Sequence, residues 1–180
     1  RLVNDKGLGE LADVMRKLED EKIKVKLLLI GELDGEDDVL AKDKLDYLMH
    51  SMNVKYIGVQ TDIRPYLMSS DVLVFPSYRE GFPNVPLEAG ALGLPAIVTN
   101  INGSNEIIEE GVNGKIISSP LDDNGMHIND ITNELYSVME WFYHHSKEAK
   151  GMGANAISLV RKRYEQKDLW KALLNMYNSL

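Results

Sequence analysis

The sequence contains no cysteine. It therefore has no disulfide framework, no thiol nucleophile and no zinc site built on cysteine. This absence fits a cytoplasmic protein, which is the location we expect. Basic residues are also few, since 20 Lys and Arg stand against 28 Asp and Glu, and the formal net charge is −8. An acidic surface argues against a nucleic-acid partner, whose phosphates attract Lys and Arg.

Long hydrophobic runs are absent as well. The longest apolar run, VKLLLIG at 25–31, is far too short to cross a bilayer. We therefore expect no transmembrane segment, and no stretch reads as a signal peptide. The chain opens on Arg1 rather than on Met, and we expect it to be a piece of a longer protein.

The 180 residues are 44% apolar and 27% charged, which suits one folded domain with its own core. Short apolar runs alternate with segments of helical spacing, and this alternation predicts βαβ units around one parallel sheet. The predicted fold is a doubly wound, Rossmann-like α/β domain: a sheet with crossover helices over 1–118, a linker-like stretch at 118–130, and terminal helices over 129–180. We predict strands at 25–31, 54–58, 71–77, 95–100 and 114–118, the first buried on both faces, and helices at 8–20, 36–52, 63–70, 84–93 and 106–110.

Ligands of open parallel sheets bind beyond the carboxyl ends of the strands. The segments that follow the predicted strands are therefore the first candidates for a site. They are residues 31–35, 58–62, 76–84 and 100–105, and three of them are rich in Gly, Asn or Ser. The backbone in such segments can approach a ligand closely.

The stretch SYREGFPNVPLEAGALGLPAI at 77–97 carries two acids, Glu80 and Glu88. Glu80 falls in a loop, and Glu88 falls about one turn into the next helix. Asn84 is the predicted N-cap, and Pro86 fits the first turn, where a missing N–H costs nothing. The unpaired N–H groups at the start of this helix favour an anion or a hydroxyl group. Two carboxylates beside them suit a ligand that carries both phosphates and sugar hydroxyls.

These residues resemble a known family. SYREGFPNVPLEAGALGLPAIVTN, followed by NGSNEIIEEGVNGKII, is similar to the carboxyl-terminal, donor-binding domain of retaining GT-B glycosyltransferases, the family 4-like "glycosyl transferases group 1". The hallmark of that family is a Glu, seven residues and a second Glu, which Glu80 and Glu88 match. RLVNDKG at 1–7 and YIGVQTDIRPYLMSSDVLVFPS at 56–77 match the segments that precede the hallmark, so the resemblance covers nearly the whole chain.

The resemblance implies a role for each matching residue. Glu80, Arg1 and Lys6 would be catalytic: Glu80 would contact the sugar near the reacting carbon, and the two cations would neutralise the diphosphate. Glu88 would bind the ribose hydroxyls. The donor would also contact the loop residues Gly81, Phe82, Pro83, Asn84 and Val85, and its base would lie near Gly58 and Gln60.

The resemblance also implies the ligands and partners. The donor would be a nucleotide-sugar, with UDP the expected nucleotide, and neither a cofactor nor a metal would be required. The acceptor, a saccharide or lipid-linked molecule in surface polysaccharide or glycolipid synthesis, would bind an amino-terminal domain that this chain lacks. The fragment alone is then expected to be inactive, and contact with the inner face of the membrane stays open.

Two other functions stay open. A sugar-nucleotide epimerase shares the two-domain architecture and would act on the donor without an acceptor. A non-catalytic doubly wound regulatory module is the other alternative. A phosphorylated receiver domain fits poorly, because Asp71 stands at the wrong end of its strand.

Overall fold

Helices and strands alternate along the chain in the order that the apolar pattern predicts. The computed structural model describes residues 2–33, 39–122 and 124–178. The strands are β1 Leu27–Ile30, β2 Val54–Gly58, β3 Leu73–Phe75, β4 Ala96–Thr99 and β5 Gly114–Ile117. The helices are α1 Leu8–Asp20, α2 Lys42–His50, α3 Arg64–Met68, α4 Asn84–Ala91, α5 Ser104–Ile107, α6 Thr132–His144, α7 Ser146–Tyr164 and α8 Gln166–Asn178, and a 3-10 helix, Asn4–Lys6, precedes α1. The predicted start of the second helix, at 36–38, lies outside the described residues.

The strands pair in parallel, as the βαβ pattern predicts. β1 pairs with β2, and β4 lies between β3 and β5. Within the described residues no strand pairing joins these two groups, so the strands form two parallel sheets rather than the one predicted. Only Leu29 of β1 is buried, in keeping with a strand that has a paired neighbour on one side. The prediction that this strand is buried on both faces is therefore wrong for most of its length.

Strand β4 is buried along its whole length. Ile97 packs in one hydrophobic core with residues of α1 and α6, whereas Ala96 and Val98 pack in a second core with Ile107 of α5. Successive side chains of a strand point to opposite faces of the sheet. Helices therefore cover both faces of this sheet, which confirms the doubly wound, Rossmann-like class.

Helix α1 forms much of the first core, because its apolar residues recur at helical spacing. Leu11, Val14, Met15 and Leu18 are at most 3% exposed. Helix α1 packs against α6, where Leu135 is fully buried. The 3-10 helix, which ends at Lys6, directly precedes this packed helix and contacts it.

The chain after β5 is helical from Thr132 onward, close to the predicted start at 129. Helix α7 packs against α4. Helix α8, unlike α7, has only exposed side chains among those described. They include the side chains of Trp170, Leu173, Leu174, Met176 and Tyr177. None of the helices built from the described residues is long and apolar enough to span a bilayer.

Candidate functional site

The loop after β3 is held by buried polar contacts. Ser77, two residues beyond Phe75 at the end of β3, is 1% exposed. Thr99, at the end of β4, donates a hydrogen bond from its hydroxyl group to the carbonyl oxygen of Ser77. The N–H of Tyr78 donates to the carbonyl oxygen of Asp5 at 2.8 Å. The loop is thus tied both to the neighbouring strand and to the 3-10 helix.

Lys6 and Glu80, 74 residues apart in the sequence, meet at this loop. Lys6 Nζ lies 2.5 Å from Glu80 Oε1, and the two side chains are 32% and 16% exposed. The approach depends on Gly7, whose φ is +69°, and where an added Cβ would run into the carbonyl oxygen of Pro76. Glycine adopts this conformation without strain. The structure brings together two of the residues predicted to be catalytic, and the third, Arg1, lies outside the described residues.

Ser77 is a contact of Glu80 that the sequence reasoning missed. Its hydroxyl oxygen lies 2.9 Å from Glu80 Oε1. The only signal in the sequence is a serine three residues before the glutamate, just after a strand. Serine is common in such loops for local reasons, so this signal is not specific.

Helix α4 begins at Asn84, and Pro83 is its N-cap. The prediction of Asn84 as the N-cap is therefore wrong by one residue. Pro83 has an extended backbone, with φ −76° and ψ 127°, which is the conformation that an N-cap takes. Pro86 lies in the first turn, as predicted.

The described residues leave several of the N–H groups that precede and open α4 unpaired. Among the described residues, no hydrogen bond is donated by the N–H of Gly81, Phe82, Asn84 or Val85. Unpaired N–H groups at a helix start, with the positive end of the helix dipole, favour an anion or a hydroxyl oxygen. This segment can therefore bind phosphate or sugar oxygens through its backbone.

Two neighbouring segments support the same loop. Gly103, with φ +79°, lies directly against the carbonyl group of Gly81 and 3.0 Å, measured from its ideal Cβ position, from Pro83 Cδ. Phe82 is 46% exposed, and the centroid of its ring lies 5.7 Å from that of Tyr164 at the end of α7. The hydroxyl group of Tyr164 donates to the carbonyl oxygen of Glu106 at 3.1 Å. The loop is therefore packed between α5 and α7.

Glu88 lies on α4 with its side chain exposed. It follows Asn84 by four residues, so the two lie on the same side of the helix. Glu88 therefore lies one turn beyond the unpaired N–H groups of the helix start. Its predicted contact with ribose stays a prediction.

Gly58 and Gln60 follow β2. Gly58 accepts a hydrogen bond from the N–H of Gly31 at 3.0 Å. The side-chain amide of Gln60 donates to the carbonyl oxygen of Ile57 at 3.2 Å and accepts from the hydroxyl group of Tyr66 at 3.1 Å. Gln60 thus stabilises the loop in which it lies. Its contact with the base of a nucleotide stays a prediction.

Asp62, in the same loop, forms an ion pair with Arg64 at 2.8 Å. Two hydrogen bonds from Arg64 lower the pKa of Asp62 to about 2. The one from its side chain has the larger effect, and the one from its backbone N–H has the smaller. The carboxylate is therefore ionised at any physiological pH. Its partner, Arg64, is the first residue of α3.

A cavity of about 410 Å³ lies near Tyr78, and none of the predicted site residues lines it. Its lining includes Glu10, Lys44 and His127. Tyr78 connects it to the loop, because its hydroxyl group donates to Glu10 and its ring contacts the ring of His127 at 5.0 Å. Within residues 2–33, 39–122 and 124–178, no group of three or more His, Asp or Glu side chains is placed to hold a metal ion.

Comparison with protein families gives a match over most of the chain. The family model described as "Glycosyl transferases group 1" matches residues 1–135. The capsular polysaccharide biosynthesis glycosyltransferase CapM of Staphylococcus aureus is 30% identical over 179 residues, which are 99% of this chain and 44% of CapM. The UDP-Gal:alpha-D-GlcNAc-diphosphoundecaprenol alpha-1,3-galactosyltransferase of Escherichia coli is 32% identical over 144 residues, which are 76% of this chain and 35% of that enzyme.

Solved structures show the same fold. Anabaena HepE in complex with UDP superposes with a TM-score of 0.83 and 23% identity, covering 100% of this chain and 47% of HepE. HepE in complex with UDP-glucose gives a TM-score of 0.81. The chain thus spans 35–47% of the length of these relatives. The fold matches one half of a GT-B enzyme.

Proposed function

Because the chain belongs to the family of glycosyl transferases group 1, we propose that it is the donor-binding domain of a glycosyltransferase. Residues 1–180 form one nucleotide-sugar-binding domain in this proposal. The acceptor binds to a second domain of a longer protein, and the chain alone is inactive. The share of HepE and CapM that the chain covers, 47% and 44%, supports this division.

The observation that carries the proposal is the meeting of Lys6 and Glu80 beside backbone N–H groups that the described residues leave unpaired. A site for a nucleotide-sugar needs a cation near the diphosphate and a hydrogen-bond acceptor near the sugar hydroxyls. N–H donors between these two groups strengthen binding of the phosphate and sugar oxygens. The loop at 76–85 and the 3-10 helix that carries Lys6 bring these three kinds of group to one edge of a parallel sheet, where ligands of such sheets bind.

Each predicted residue has a role in this proposal. Lys6, with Arg1, neutralises the diphosphate and stabilises the leaving nucleotide. Glu80 accepts hydrogen bonds from the sugar, and the N–H groups of the loop hold sugar and phosphate oxygens. Glu88 binds the ribose hydroxyls. The base lies near Gly58 and Gln60, and transfer proceeds with retention of the anomeric configuration, without a metal or cofactor.

The relatives point to the donor and the acceptor. One is named for a UDP-galactose donor and an undecaprenol-linked acceptor, one for capsular polysaccharide, and HepE was solved with UDP-glucose. We therefore propose a UDP-hexose or UDP-N-acetylhexosamine donor and a saccharide or lipid-linked acceptor in surface polysaccharide or glycolipid synthesis. The proposed location is the cytoplasm, at the inner face of the membrane.

Helix α8 fits this two-domain arrangement. An isolated helix of its 13 residues is marginal in water, yet its described side chains are exposed and many are apolar. Packing against the acceptor domain would bury them. This part of the proposal accounts for apolar side chains of α8 that stay exposed in the described part of the chain.

The experiment is saturation-transfer NMR on this chain with UDP, GDP, UDP-glucose, UDP-galactose and UDP-N-acetylglucosamine. We expect ribose and sugar protons to respond for at least one UDP compound. Glu88→Ala removes charge-assisted hydrogen bonds, each about 1.5–3 kcal/mol, and should weaken binding at least about 10-fold. Glu148→Ala, which changes an exposed glutamate in the first turn of α7, is the matched control.

Activity of the longer protein provides the second arm. Glu80→Gln should mainly lower turnover, and Glu88→Ala should mainly raise the KM for the donor. Transfer that survives both changes intact would contradict the proposal. Conversion of the donor to another sugar-nucleotide without an acceptor would instead support the epimerase.

A further inference from the structure

We propose that Ser77 is a positioning residue that orients Glu80 so that one carboxylate oxygen is held by the protein and the other is left for the donor sugar. The proposal rests on the donor-binding function above. It starts from an asymmetry in the contacts of Glu80. Lys6 and Ser77 both contact Oε1, at 2.5 and 2.9 Å, and within the described residues no hydrogen bond reaches Oε2.

The hydroxyl group of Ser77 has one hydrogen and three acceptors within reach. The carbonyl oxygens of Asp5 and Arg79 each lie 3.3 Å away, whereas Glu80 Oε1 lies at 2.9 Å. The carboxylate is both nearer and charged, and hydrogen bonds to charged acceptors are stronger. The hydrogen therefore goes to Glu80.

Ser77 is itself held firmly. Ser77 is 1% exposed, and its carbonyl oxygen accepts a hydrogen bond from the buried hydroxyl group of Thr99. Lys6 is a long, flexible side chain that is 32% exposed, so it fixes direction poorly. A short buried serine three residues before Glu80 fixes the carboxylate much better. Preorganised acceptors of this kind bind sugar hydroxyls without first reordering.

The test compares the affinity of UDP with that of the UDP-sugar that binds most tightly in the nucleotide panel, by calorimetry on this chain. Ser77→Ala should weaken the UDP-sugar roughly 10-fold, the loss of one charge-assisted hydrogen bond, while UDP itself stays within about twofold. Ser51→Ala is the matched control. Its half-buried hydroxyl also faces a glutamate, Glu19, at 3.5 Å, but lies before the start of β2.

A double-mutant cycle separates positioning from general damage. If Ser77 acts through Glu80, then Ser77→Ala in a Glu80→Gln background should change the UDP-sugar affinity less than twofold. A full 10-fold loss in that background would overturn the proposal. So would an equal loss of UDP and UDP-sugar, or no loss in the single variant.

The outcomes also distinguish this inference from the donor-binding function. If UDP binds and only the Ser77 comparisons fail, the inference fails and the function stands. If no nucleotide binds to the folded chain, both fail. Urea unfolding of each variant, followed by circular dichroism, establishes that the compared proteins are equally folded.

Discussion

Gly103 offers the sharpest test of how the loop at 81–83 is supported. Its φ is +79°, and an added Cβ would run into the carbonyl oxygen of Gly81 and come within 3.0 Å of Pro83 Cδ. In Gly103→Ala, the backbone at φ +79° and ψ −51°, outside the left-handed helical region, costs about 1–3 kcal/mol. The collision with backbone adds about 1–3 kcal/mol, the usual cost of overpacking. We therefore expect a total loss of about 2–6 kcal/mol in the free energy of unfolding.

Gly111 provides the matched control. Its φ is +73°, but an added Cβ would have nothing within 4 Å. Gly111→Ala therefore has the backbone strain without the collision, and should cost only about 1–2 kcal/mol. The larger loss expected in Gly103→Ala comes from the contact with the loop together with the added strain of a ψ of −51°.

Urea unfolding monitored by circular dichroism measures both losses, with unchanged m-values as the check on two-state behaviour. Gly103→Ala should also weaken UDP-sugar binding, because relief of the collision displaces Gly81. Equal losses of stability in the two variants would refute the reasoning. So would a Gly103→Ala protein that is destabilised but binds the donor normally.

Two further predictions concern neighbours of the site. The pKa of Asp62 is lowered from 3.8 to about 2 by Arg64, so the stabilisation from this pair is present above about pH 4 and is lost as the pH falls towards 2. Carboxyl-carbon NMR should give a midpoint near 2 that moves up towards 3.8 in Arg64→Ala, and an unmoved midpoint would contradict the assignment. Tyr164→Ala removes the ring contact with Phe82, worth about 0.5–1.5 kcal/mol, and should weaken UDP-sugar binding roughly 2- to 10-fold by calorimetry. Tyr164→Phe keeps the ring and should bind normally, and an equal loss in both variants would rule out the ring contact.

Local sequence patterns predict the limits of a helix or strand where interactions between neighbouring residues determine those limits. Helix α1 and strand β2 have the predicted limits, 8–20 and 54–58, because their apolar spacing and flanking residues agree. The short helix α5 begins at Ser104 instead of 106. Glu106 accepts a hydrogen bond from the N–H of Gly103 at 3.3 Å. The turn thus starts earlier than the apolar pattern alone indicates.

Other features depend on contacts that no local pattern contains. The terminal helices break at single residues, His145 and Glu165, neither of them Gly or Pro, so the sequence predicts helix throughout this part. The division into two sheets depends on which strands pair. The meeting of Lys6 and Glu80 joins segments 74 residues apart, and the sequence indicated it only through the family resemblance. The contact of Ser77 with Glu80 follows from the tertiary path of the loop.

The proposed function requires an acidic chain to bind an anionic donor. The chain has a formal net charge of −8, yet charges more than about 8–10 Å away are largely screened at physiological ionic strength. Local groups therefore decide the potential that a diphosphate meets. Glu80 is already paired with Lys6, so its charge is partly offset, and the N–H groups at the start of α4 add partial positive charge. Removing Lys6 would expose the diphosphate to an unpaired Glu80 as well as removing a cation, and its loss should therefore cost more donor affinity than the loss of one surface charge.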